Sequence, residues 1–128
     1  MRIAFICAIL ATLSGCTIFS GPQVCPASIN PGIVVEVRDA RTGSFIALGA
    51  RGVVREGTYV DSLKPYAFSS SDPSSVTSLQ AALGRAGTYS VEVEHDGYQR
   101  WTISGIRVQK QTCGIRTVRL RASLVPTT

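Results

Sequence analysis

Histidine occurs once, at His95, so no cluster of histidines is present to hold a metal or share out acid–base work. Long apolar runs are almost missing. After Ile3–Leu13, every apolar stretch is broken by a charge, a glycine or a proline. Acidic residues stop at Asp96. A phosphate-cradling glycine loop, a cluster of metal ligands and a nucleophile elbow are also absent. No segment carries apolar residues at convincing helical spacing. These gaps exclude transmembrane helices after the N-terminal run, the common nucleotide-binding motifs, and a helical or α/β architecture. They point to no cofactor and no catalytic residue. Nucleic acid is excluded as a partner, because no aromatic-plus-basic binding module is present.

The first sixteen residues carry the most information. Met1 and Arg2 precede the apolar run Ile3–Leu13, and Ser14-Gly15-Cys16 follows. One positive charge, a short apolar segment and small residues before a cut form the layout of a secretory signal peptide. The run of eleven residues covers roughly 16 Å as a helix. A bilayer core is about 30 Å thick and takes about 20 residues to cross. The segment is therefore a leader and a poor membrane span. Three other readings stay open: an ordinary signal peptidase site nearby, an uncleaved anchor, and a buried N-terminal helix. The first is weakened by the lack of an Ala-x-Ala pattern.

Leu13-Ser14-Gly15-Cys16 closely resembles the lipobox of bacterial lipoproteins. The resemblance implies cleavage before Cys16 and a diacylglyceryl group on its sulfur. The freed amine then takes a further acyl chain such as palmitate. Two or three chains exceed the marginal membrane affinity of a single one. Thr17, in place of the aspartate that retains lipoproteins in the inner membrane of enteric bacteria, is compatible with an outer-membrane location facing the periplasm. The expected organisation is 1–15 signal peptide, 16–31 lipidated N-terminus and tether, and 32–128 a single domain. The tether assignment rests on Pro22, Pro26 and Pro31 among turn-forming residues.

Removing Arg2 from the thirteen basic residues, against eight acidic ones, leaves a formal charge of +4 on the mature chain. The positive charge gathers late, at Arg100, Arg107, Lys110, Arg116, Arg119 and Arg121. Arg100, Arg116, Arg119 and Arg121 are the expected contact set for an anionic lipid, an acidic glycan or an envelope protein. The competing reading is a row of solvated arginines on the outer faces of strands. Of the four cysteines, Cys7 leaves with the leader and Cys16 takes lipid. Cys25 and Cys113 remain as an even pair in an oxidising compartment. A disulfide between them is expected. Free thiols, or redox and metal chemistry, are the alternatives.

Strand signals fill the rest of the chain. Ile33–Arg38 is β-branched and alternating, and Asp39–Gly43 is a turn. Ala50–Glu56 and Tyr59–Leu63 are short strands. Pro65 opens a serine-rich loop around Asp72-Pro73. Val76–Leu83 reads equally as strand or helical turn. In Thr88–His95, Tyr89, Val91 and Val93 share one face. Asp96-Gly97 is a hairpin signal, followed by strands over Tyr98–Ser104, Ile106–Val108 and Ile115–Leu124. About seven short strands at this spacing indicate an antiparallel sandwich.

Two segments resemble a known domain. They are Val35-x-Val37-x-Asp39-x-x-Thr42-Gly43 and Gly87-Thr88-Tyr89-Ser90-Val91-x-Val93, continued by Gly97-Tyr98. Together they are similar to the carboxypeptidase regulatory-like domain. The resemblance covers roughly residues 32 to 124, with 57 to 83 poorly matched. It implies an all-β fold: a seven-stranded antiparallel Greek-key β-sandwich, prealbumin-like (transthyretin-like). The motif positions are structural, so the resemblance transfers no catalytic residue. Transthyretin-like hydrolases of purine catabolism share that fold but use several histidines, which this chain lacks.

Remaining candidates for chemistry are thin. His95 and Asp96 are neighbours and point apart on a regular strand. Glu92 and Glu94 share a face with carboxylates roughly 6.5 to 7 Å apart, a spacing that also suits a glycosidase pair. Trp101 and Tyr98 fall on opposite faces of a regular strand, which argues against a shared aromatic platform. The resulting expectation is a small non-enzymatic lipoprotein of the cell envelope, anchored to the membrane through Cys16, with a binding or scaffolding role. A small-substrate hydrolase and a structural subunit of an envelope assembly are the alternatives.

Overall fold

The computed structural model describes residues 15, 21–22, 24–66 and 75–128. The apolar leader, Cys16 and the serine-rich loop around Asp72-Pro73 lie outside the described residues, so those assignments stay as expectations. Among the described residues the regular structure is all strand. No helix there is long and apolar enough to cross a membrane.

Among the described residues ten strands form three sheets: β1 Pro31–Asp39, β2 Arg51–Glu56, β3 Tyr59–Ser62, β4 Lys64–Tyr66, β5 Ser78–Leu83, β6 Gly87–Glu94, β7 Trp101–Val108, β8 Lys110–Gln111, β9 Gly114–Ile115 and β10 Val118–Leu124. One four-stranded sheet has the order β10-β1-β5-β4, and the other has β3-β2-β6-β7. The small β8–β9 hairpin stands apart from both. The sheets face each other in a sandwich-like arrangement.

Alternation of side chains explains the core. Ile33, Val35 and Val37 of β1 point inward and are fully buried, while Glu36 and Arg38 point out. Leu79 and Ala81 of β5 and Ala122 and Leu124 of β10 join them. The opposing sheet supplies Val54, Tyr89, Val91, Val93 and Val108. Side chains of this size each contribute roughly 1.5 to 3 kcal/mol on full burial.

Two features differ from seven antiparallel strands. The two larger sheets together hold eight strands, because Lys64–Tyr66 forms an edge strand where a loop was expected. Pro65 is tolerated there because an edge strand leaves its missing N–H facing outward. The second difference is that β10 runs parallel to β1, from Ile33↔Val118 to Asp39↔Leu124. The route of the chain explains this. β7 finishes at Val108, at the end of the sandwich where β1 begins, and the β8–β9 hairpin stays at that end. β10 therefore starts beside the start of β1 and must run the same way. The undecided segment 76–83 is a strand, β5, antiparallel to β1.

The two ends of the sandwich differ in what they gather. Near the start of β1 lie the disulfide region, Arg85, Glu56 and the β8–β9 hairpin. Near its finish lie the Asp39–Gly43 turn, His95, Tyr98 and the C-terminus, which is fastened by Gln99 N–H to Val125 O and Thr127 N–H to Gly97 O. Gly43 holds φ +74° in that turn, a conformation that strains any β-carbon.

Candidate functional site

At the end where β1 begins, Cys25 and Cys113 form a disulfide, as expected. It fastens the exposed segment 24–30 to the turn between β8 and β9. Two further bonds hold the chain as it enters β1: Thr117 Oγ1 donates to Pro31 O at 2.7 Å, and Gly84 N–H donates to Asn30 O at 2.9 Å.

Positive charge surrounds this junction. Arg107 leaves the outer face of β7 opposite Thr88. Lys110 opens β8 opposite Ile115. Arg116 follows β9, its amide bonded to Gln109 O at 2.9 Å. Two adjoining shallow hollows share Arg107 and Gln109; one extends to Lys110 and the other to Arg116. All three cationic side chains are exposed, and none forms an ion pair among the described residues.

Glu56, the acid on the rim of the first hollow, is occupied. It accepts the Thr88 amide and the Arg85 guanidinium, the latter at 2.9 Å. The Thr88 amide, and then Arg85, hold its carboxyl below the usual range. Arg85 also donates to the Tyr89 hydroxyl at 2.9 Å and stacks 3.8 Å above the Tyr59 ring. Tyr89 returns a bond to Arg85 O at 2.9 Å. Its ring is buried in the core and its hydroxyl reaches the loop before β6. This is a structural clamp, and among the described residues no buried side-chain polar atom lacks a partner.

The opposite end is a second polar node. Tyr98 donates its hydroxyl to Asp39 Oδ2 at 2.7 Å, and Asp39 Oδ1 caps the amides of Arg41 and Thr42 at 2.7 and 3.0 Å. The Tyr98 bond, then the Thr42 amide, lower the Asp39 pKa, and the same bond raises that of Tyr98. His95 lies edge-on to Tyr98, with ring centroids 5.1 Å apart. Its Nδ1 contacts Asp96 O at 2.9 Å and its Nε2 contacts Leu48 O at 3.3 Å. Both nitrogens are thus directed at backbone carbonyls, and the ring ties the Leu48 loop to the β6–β7 turn.

The expected contact residues are divided. Arg100 spans Glu92 and Glu94, at 3.4 and 2.6 Å, on the outer face of β6. This accounts for the two carboxylates that share that face. Arg119 and Arg121 lie on the outer face of β10, on the other sheet, with Arg121 bonded to Glu36 at 3.0 Å. Glu36 also takes Arg38, and that bond above all lowers its pKa. Arg116 stands at the disulfide end. The structure therefore unites Arg119 with Arg121 and separates both from Arg100. It joins Arg116 instead to Arg107 and Lys110, two residues of the same charge run that stood outside the expected contact set. Their signal was present: both follow the last acid, and Lys110 is three residues from Cys113.

Tyr98 and Trp101 both rest against the core. Tyr98 precedes β7 and bridges to Pro126, so it does not follow the alternation of that strand. Among the described residues no group of three histidine, cysteine or acidic side chains is placed to bind a metal. The chain matches no protein-family model and no curated protein sequence.

Proposed function

We propose that this protein is a lipid-anchored lipoprotein of the cell envelope. Its β-sandwich acts as a non-enzymatic binding or scaffolding module outside the cytoplasm. The observation that carries the reading is the leader ending in Leu13-Ser14-Gly15-Cys16. The Cys25–Cys113 disulfide supports it, because such bonds persist in exported proteins and are rare in a reducing cytosol. Cys16 is the lipid attachment point, and Thr17 favours the outer membrane on its periplasmic side. The domain is a prealbumin-like sandwich of the carboxypeptidase regulatory-like kind. Two four-stranded sheets, the Thr42-Gly43 turn and the buried Tyr89 support that finer assignment.

The geometry favours binding over catalysis. His95, Glu92 and Glu94 all serve as links between elements, and none faces an enclosed pocket with converging polar groups. The test is metabolic labelling with a palmitate analogue. Wild type takes up label and fractionates with membrane. Cys16→Ala loses the label and accumulates as the uncut precursor. Full-length wild-type chain recovered soluble from the cytosol, with its leader intact and position 16 unmodified, overturns the reading.

A further inference from the structure

The positive charge of this molecule is not spread evenly. Arg38, Arg51, Arg85, Arg100 and Arg121 are each matched to a carboxylate. Among the described residues Arg41, Arg55, Lys64, Arg107, Lys110, Arg116 and Arg119 form no ion pair, and three of these, Arg107, Lys110 and Arg116, surround one end of the sandwich. Among the described residues the one acid lining the hollows there, Glu56, is held by Arg85 and the Thr88 amide. The far end carries Asp39, Glu94 and the exposed Asp96 alongside Arg41, Arg51 and Arg100. Acids and cations are thus mixed at the far end, while unpaired cations gather at the end where β1 begins.

The disulfide gives this asymmetry a meaning. It fastens the N-terminal segment to the turn beside Lys110, at the basic end. Cys25 lies nine positions after Cys16, a reach of at most about 32 Å when fully extended. An anchor at Cys16 therefore tethers the molecule from its basic end. Bridging from Cys25, instead of letting the chain run free to Pro31, shortens that leash.

We propose that Arg107, Lys110 and Arg116 form a docking surface for the anionic phospholipid headgroups of the bilayer that holds the anchor. This rests on the lipoprotein reading above and adds an orientation to it. The form of the surface favours a charged plane over a single soluble anion. The hollows are shallow and open, and the cations are long, exposed and set around a rim. No buried polar group among the described residues converges there to hold one phosphate. Each cation near an anionic surface favours contact about fivefold, so three give roughly a hundredfold. The effect vanishes in high salt as the field is screened.

The chain has two lysines, Lys64 and Lys110, and this makes the test internal. Lys64 lies on the edge strand β4 of the other sheet and serves as the reference. Full chain carrying its anchor is reconstituted into phosphatidylcholine vesicles, with and without phosphatidylglycerol. A water-soluble amine reagent is applied, and the two lysines are compared by mass spectrometry. The expected result is several-fold slower labelling of Lys110 on the anionic vesicles, with Lys64 unchanged. High salt restores the rate. Arg107→Glu with Arg116→Glu abolishes the protection without altering the thermal midpoint. Equal labelling of Lys110 on both vesicles overturns the proposal, and so does protection that survives in the double variant. Release from phosphatidylcholine vesicles in high salt has a different meaning: it overturns the anchor itself, and the docking orientation with it.

Discussion

Loss of the Cys25–Cys113 bond is expected to destabilise the fold through the unfolded chain more than through the native contacts. The bond closes a loop with a sequence separation of 88 residues. The loop-closure relation then gives about 4.6 kcal/mol at 25 °C as an upper figure. Little native structure depends on the bridge. Residues 24–30 are exposed throughout, and Val24 and Ile29 remain 90% and 72% accessible. The entry into β1 keeps its bonds from Gly84 and Thr117 whether or not the sulfurs are joined. Replacing both cysteines with alanine should therefore leave the folded domain intact. Its thermal midpoint should fall by roughly 20 to 35 °C, at about 4 to 8 °C per kcal/mol for a domain of this size. Denaturant titration of wild type and variant measures the difference, and the slope m should rise because the unlinked unfolded chain exposes more surface. Stopped-flow kinetics separate the causes. If the bridge acts on the unfolded ensemble, the variant folds more slowly and unfolds at nearly the wild-type rate. A loss under about 1 kcal/mol refutes the argument. A loss seen mainly as faster unfolding refutes it as well, because the bridge would then be holding native contacts.

Two other outcomes can be measured on the same domain. Gly52 lies in β2 between β3 and β6, and a β-carbon there would stand 2.0 Å from Glu92 O and 2.8 Å from Leu63 Cδ1. Gly52→Ala should cost more than about 3 kcal/mol, since backbone must move, whereas Gly43→Asn, in open space but at positive φ, should cost only about 1 kcal/mol by urea titration. The pH dependence follows from the depressed carboxyls of Glu36, Asp39 and Glu56. Each binds fewer protons folded than unfolded below about pH 4 to 5, so their contribution is present above that range and lost as pH falls through it. Tyr98 has the opposite sign: its pKa is raised, so its contribution is complete below about pH 10 and lost as pH rises beyond it. The stability difference between wild type and Tyr98→Phe should therefore form a plateau across neutral pH that closes at both ends; a pH-independent difference refutes the Asp39–Tyr98 assignment.

What the sequence disclosed depended on where the determining contact lay. The inward face of β6 was legible because Tyr89, Val91 and Val93 alternate with Ser90, Glu92 and Glu94, and this pattern needs no knowledge of a partner. β1 was legible for the same reason. β5 was not. Leu79, Ala81 and Ala82 are all buried, so small apolar residues face both ways and the period of two is erased. Ala82 adds a local irregularity, with φ +56° and its amide bonded to Asp61 Oδ2 at 2.9 Å instead of to the ladder. The direction of β10 was hidden too. Its own alternation, with Ala122 and Leu124 inward and Arg119 and Arg121 outward, is identical for a parallel and an antiparallel neighbour. Only the path through the β8–β9 hairpin decides between them.

The same reasoning explains why the charge run was half legible. A stretch with six cations and no acid declares that some surface is basic. It does not say which of those cations are already matched to acids placed earlier in the chain. Arg100 follows Glu94 by six residues and Arg121 follows Glu36 by 85, yet each finds its carboxylate across the outer face of a sheet. Such pairing depends on strand register: Glu36 stands opposite Arg121 only because β10 is parallel to β1 at that offset. A shift of one residue would bring Leu120 or Ala122 opposite Glu36 and reverse which face each residue of β10 presents. Arg107, Lys110 and Arg116 lie in or beside the β8–β9 hairpin, where the chain crosses between sheets and no acidic strand among the described residues runs alongside, and Arg119 is unpaired because Val34 stands opposite it on β1. Three of the unpaired cations are thus gathered by topology at the end to which the disulfide also brings the N-terminal segment.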